Sequence, residues 1–176
     1  MVNWISSRKF HFVFWAALIV FVFSGNSLYT HFILKNGVPY QPGQALPAES
    51  KDIFYKFGNF ATIRVDGQDL YELRGFAFKT SDPLAKNKIS IVLRSASDTL
   101  VIATRPITVP GMIRSYTGYK TGMDVAEFSL FLSQTVFKPG VYQLGVLLED
   151  QAGTNRTFLM TNSSIQITPN TLKYTP

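Results

Sequence analysis

The stretch PGVYQLGVLLED, residues 139–150, carries the reading of the fold. Tyr142, Leu144, Val146 and Leu148 alternate with Gln143 and Gly145. Successive side chains of an extended backbone point to opposite sides, so a period of two places these four on one face of a strand. Turn residues bracket the strand: Pro139-Gly140 before it and Ala152-Gly153 after it. Pro presets the backbone for a turn, and Gly enters conformations closed to other residues.

The same alternation recurs outward from this strand. Ala61, Ile63 and Val65 alternate with Thr62 and Arg64, and Ile89, Ile91 and Leu93 with Ser90 and Arg94. Ala126, Phe128, Leu130 and Leu132 alternate with Glu127 and Ser129, while Ile165 and Ile167 flank Gln166. Turn signals separate these segments at Asp66-Gly67, Ser81-Asp82-Pro83 and Ser97-Asp98. The pattern predicts an all-β antiparallel sandwich of about seven or eight strands over residues 51–168, with a C-terminal tail at 169–176.

One segment, LYELRGFAFK (residues 70–79), changes phase. Tyr71 and Leu73 share one face, whereas Phe76 and Phe78 fall on the other, with Gly75 at the switch. A bulge at Gly75 is expected to return both rings to the core. The alternative is that the two Phe residues face a second apolar surface.

The stretch FKPGVYQLGVLLEDQAGTN (residues 137–155) resembles the closing hairpin of bacterial immunoglobulin-like domains. Pro139, Gly140 and Tyr142 match a Pro-Gly-x-Tyr strand opening, and Asp150, Ala152 and Gly153 match an Asp-x-Ala-Gly turn. The segments LRGFAF and ISIVLRS are similar to strands of uncharacterised envelope domains. The resemblance implies an immunoglobulin-like sandwich in which Tyr142 takes the tyrosine-corner role, its hydroxyl bonded to nearby backbone. It implies little about function. Two departures remove the antibody-type core: there is no Cys pair, and Trp4 and Trp15 both lie outside the domain.

Ahead of the strands, Arg8 and Lys9 precede an apolar run from Phe12 to Phe23. Extended from Phe10 to Tyr29, the run is long enough to cross a bilayer as a helix. Charge before it and none immediately after orients the amino terminus to the cytoplasm. Residues 1–34 are therefore expected to be a cytoplasmic stub and a retained transmembrane anchor, with residues 10–29 in lipid. The rival reading is a secretory signal cleaved near residues 24–27, where Gly25 and Ser27 are small. Residues 35–50, with three Pro and two Gly, read as a spacer.

The formal charge of +6 does not point to nucleic acid. Between Ala48 and Thr168, 13 Lys+Arg face 11 Asp+Glu, with no basic stripe. The absence of Cys removes thiolate catalysis, disulfides, lipidation at Cys and Cys-based metal sites. His11 and His31 flank the apolar run and cannot share a site in the domain. The carboxylate pairs Asp66/Asp69, Asp124/Glu127 and Glu149/Asp150 lack the spacing of a cation loop, and turn formation is the ordinary role of such residues. No catalytic, metal or cofactor residue is assigned.

A non-catalytic role remains: an anchored extracytoplasmic module that contacts another envelope or membrane protein, as an accessory subunit of a membrane complex. The alternative is a carbohydrate-binding module of the cell surface or of polysaccharide assembly, disfavoured by the lack of a Trp platform. The candidate contact surface is RPITVPGMIRSYTGYKTGMD (residues 105–124), through Met112, Ile113, Arg114, Tyr116, Tyr119 and Lys120. Tyr, Arg and Met are enriched at interfaces, and long loops often carry function. The competing reading is an irregular edge strand crossing between sheets.

Overall fold

The computed structural model describes residues 45–65, 68–107, 126–133 and 137–176. Nine strands occur among them: β1 (Ile53–Val65), β2 (Gln68–Lys79), β3 (Lys88–Arg94), β4 (Thr99–Ala103), β5 (Arg105–Pro106), β6 (Glu127–Leu132), β7 (Gly140–Glu149), β8 (Arg156–Ile167) and β9 (Leu172–Thr175). The described residues contain no helix long and apolar enough to cross a membrane. The expected anchor, the spacer up to residue 44 and both His residues lie outside the described residues.

The strands form two antiparallel sheets, one of four strands in the order β1-β2-β6-β5 and one of five in the order β4-β3-β7-β8-β9. Their inner faces share one core. Tyr71, Leu73, Phe128, Leu130 and Leu132 come from the first sheet, and Ile91, Leu93, Leu144, Val146, Leu148 and Ile165 from the second. This is the arrangement of a β-sandwich, and the period of two explains it directly: each strand turns alternate residues toward the shared core. Burying a Leu or Phe fully contributes about 1.5–3 kcal/mol, so such a core can stabilise the fold without disulfides.

Local chemistry closes the hairpins. In the β3–β4 turn, Ser95 N donates to Asp98 O at 2.8 Å and Asp98 N to Ser95 Oγ at 3.0 Å. In the β7–β8 turn, Gly153 has φ of 76°, the left-handed region that favours Gly. The Asp150 carboxylate there accepts from Thr154 N (2.8 Å), Thr154 Oγ1 (2.8 Å) and Asn155 N (3.0 Å). These bonds, chiefly that from the Thr154 hydroxyl, hold the Asp150 carboxyl below its ordinary value.

The expected bulge at Gly75 does not form. The β2–β6 register runs unbroken from Tyr71↔Leu132 to Phe76↔Glu127. The irregularity is in the neighbouring strand: Phe57 pairs with Gly75 and Phe60 with Leu73, so Gly58 and Asn59 together oppose Arg74. Gly75 has another reason. A Cβ there would lie 2.5 Å from the Lys56 carbonyl oxygen and 2.9 Å from Cζ of Phe128. The Phe76 and Phe78 side chains stay on the outer face, in a small cluster of their own with Ala126. Two further differences follow from pairing. Residues 172–175, read from the sequence within a tail, add to β8 as β9, because Leu172 is buried in the core and Tyr174 packs against it. The strand predicted around Ile165 begins as early as Arg156.

Candidate functional site

The outer face of the four-stranded sheet carries the most distinctive surface among the described residues. Phe54 on β1 and Phe78 on β2 are cross-strand partners. Their ring centroids are 5.2 Å apart, and Phe54 lies 6.0 Å from Phe76, all three stacked. Phe76 and Phe78 are buried, whereas Phe54 is 40% exposed. One accessible ring thus rests on two fixed ones. The carboxylate of Asp52 pins this end of the β1–β2 pair by accepting from Ser81 N at 2.8 Å and from the Thr80 and Ser81 hydroxyls.

A polar cluster continues along the same face. The buried Glu72 accepts from Ser129 Oγ at 2.6 Å, and Arg74 Nε lies 2.8 Å from the same carboxylate oxygen. Burial alone would raise the Glu72 carboxyl. The Arg74 guanidinium and the Ser129 hydroxyl outweigh burial and hold it below its ordinary value. Glu72 also raises the Arg74 guanidinium, keeping the pair charged. Arg74 remains half-exposed at its side chain, so the face offers an aromatic ring and a guanidinium held in fixed positions. Aromatic and Arg side chains dominate the energetics of protein–protein contacts.

A cleft of about 540 Å³ lies elsewhere, lined by Lys86, Asn87, Lys88, Ile89, Ser90, Ala103, Thr104, Pro106, Glu127, Glu149 and Gln151. Several of its polar groups already serve the fold: Thr104 Oγ1 donates to Ile89 O at 2.7 Å, and Gln151 Nε2 to Lys86 O at 3.1 Å. Among the described residues that line it there is no aromatic ring.

The residues singled out from the sequence fare differently. Met112, Ile113, Arg114, Tyr116, Tyr119 and Lys120 lie outside the described residues. The start of that stretch, Arg105–Pro106, is an edge strand paired with Ser129 and Phe128. Asp66 and Asp124 are also outside. Glu149 pairs with Arg156 Nε at 3.3 Å, and Asp150 organises its turn. Among the described residues no group of His, Cys, Asp and Glu could hold a metal ion. Tyr142 is 3% exposed and its hydroxyl donates to Lys138 O at 3.0 Å, as a tyrosine corner requires. The face of Phe54, Phe76 and Phe78 was missed as a site. Its signal was the phase change in LYELRGFAFK, read as a route into the core.

Comparison with known family models, curated proteins and solved structures finds no match to this chain.

Proposed function

We propose that the chain is a membrane-anchored, non-catalytic interaction module whose sandwich lies outside the cytoplasm and contacts another envelope or membrane protein. The observation that carries this reading is the accessible Phe54 ring, backed by the immobilised rings of Phe76 and Phe78 on the face turned away from the core. A ring already fixed by its neighbours loses little conformational freedom on binding, which is what a contact anchor needs. The anchor rests on Arg8 and Lys9 before the apolar run. The segment with Met112, Ile113, Arg114, Tyr116, Tyr119 and Lys120 connects β5 to β6, strands of the same sheet, and is proposed as a second part of the contact surface.

An immunoglobulin-like assignment fits this role. The order β1-β2-β6-β5 corresponds to A-B-E-D, and β4-β3-β7-β8 to C′-C-F-G, with β9 added beyond G. Tyr142 near the start of β7 supports it, since a tyrosine corner belongs near the start of strand F.

Isolation from gently solubilised membranes tests the function. The wild-type chain is expected to co-purify with one partner in fixed proportion, and Phe54→Ser is expected to lose it while remaining folded. A monomer without partner under all mild detergents contradicts the proposal.

A further inference from the structure

Residues 45–50 precede β1 yet run beside the other sheet. Glu49 forms a parallel bridge with Phe158, and Ser50 N donates to Phe158 O at 2.8 Å. Arg156 Nη1 donates to Ala45 O at 3.3 Å. Leu46 packs on Val92, Leu147 and Phe158, an apolar cluster on the outer face of the five-stranded sheet. Arg94 sets its guanidinium over the Phe158 ring, 5.5 Å from the centroid.

Beneath this segment is an incomplete edge. One side of β8 is paired with β7. On the other side β9 pairs only with Ser164 to Ile167. Among the described residues, the first half of that edge is met by residues 45–50 alone. Among the described residues, the Glu49–Phe158 bridge with its Ser50 N–Phe158 O bond, the long Arg156–Ala45 bond and the Leu46 side chain hold the segment. Pro47 has no N–H to give, and ordering the segment costs conformational entropy at every residue.

We propose that residues 45–50 are a displaceable strap over a strand-addition site on the β8 edge. The occupant that displaces it is an extended segment of a partner protein carrying an apolar residue and an acidic one. The strap itself shows the fit, with Leu46 on the apolar cluster and Glu49 at the bridge. Arg156 is paired with Glu149, whereas Arg94, whose guanidinium lies over the Phe158 ring, favours a carboxylate on the incoming strand. Added-strand pairing gives affinity through backbone bonds and specificity through alternate side chains. The strap competes at high effective concentration because it is tethered, so only a well-matched segment opens the site. This inference rests on the interaction-module reading but uses a surface distinct from Phe54.

The test uses the full chain in detergent micelles and a labelled peptide QALPAESKD, identical to residues 44–52. Leu46→Asp should free the edge and bind the peptide at least roughly tenfold more tightly than wild type, as expected when a competing state is removed. A peptide carrying Leu46→Asp should not bind. Absence of binding to the variant, or equal binding to both chains, overturns the proposal. Should the variant fail to fold, hydrogen exchange of the wild-type chain decides. The Ser50 amide is expected to exchange far faster than the β7–β8 ladder amides of Val146 and Leu148, and equal protection rules out displacement. Neither readout involves the Phe54 partner, so failure here leaves that reading untouched.

Discussion

The rings of Phe54 and Phe78 stack 5.2 Å apart across the β1–β2 pair, on the face turned away from the core. Phe78 is buried and Phe54 is 40% exposed, so the two halves of one stack answer to different demands. Phe76→Ala, which empties the buried side of the same cluster, is expected to cost about 3–5 kcal/mol. Phe54→Ser should cost clearly less, because this ring is already 40% exposed and leaves no buried cavity behind. Denaturant titration of the two variants checks the contrast.

Gly75 is held to Gly by its neighbours. In Gly75→Ala the new methyl meets the Lys56 carbonyl, a backbone atom that cannot rotate away, and the Phe128 ring. Overpacking of this kind costs about 1–3 kcal/mol. The expected outcome is a lower denaturation midpoint. An unchanged midpoint shows that β1 can move away from β2 freely.

Tyr142 and Leu144 separate a hydrogen bond from a core contact two residues away on the same strand. Lys138 is exposed, so its carbonyl can regain water once the tyrosine hydroxyl is gone. Tyr142→Phe should therefore cost about 0.5–1.5 kcal/mol, the net value of one bond. Leu144 is fully buried, and Leu144→Ala should cost about 2–5 kcal/mol. Equal effects from the two substitutions contradict the packing described.

Glu72 predicts a pH dependence. Its carboxyl is held below the ordinary value in the folded state, while the unfolded value is about 4.3. Its contribution to stability is thus complete above that unfolded value and is lost as pH falls through the folded one. Wild type should lose stability relative to Glu72→Gln on acidification below about pH 4. Paired urea titrations at descending pH measure this, and a constant difference removes Glu72 as the source.

The sandwich was legible because its core strands keep a period of two: Leu144, Val146 and Leu148 read directly as one buried face. The start of β8 was not, since Phe158 belongs to an outer apolar cluster and Met160 packs against that cluster, while Thr161 faces inward. Phe76 and Phe78 follow the alternative reading, a second apolar surface, as periodicity had it. The expectation that buried rings belong to the main core led instead to a bulge that the register lacks. The strap escaped for a similar reason, as Pro47 marks it as linker while Leu46 docks by a tertiary contact no local pattern encodes.

Contact between Phe54 and a partner protein is measured by site-specific photocrosslinking in native membranes, with a photoreactive phenylalanine analogue in turn at Phe54, Leu84 and Val141. All three are large exposed apolar residues, and Leu84 and Val141, each 60% exposed, are the more accessible. Only Phe54 belongs to a stack backed by buried rings. One discrete protein adduct is expected from position 54 and none of the same mass from positions 84 and 141. The same adduct pattern from all three positions, or no protein adduct at position 54, contradicts contact through Phe54.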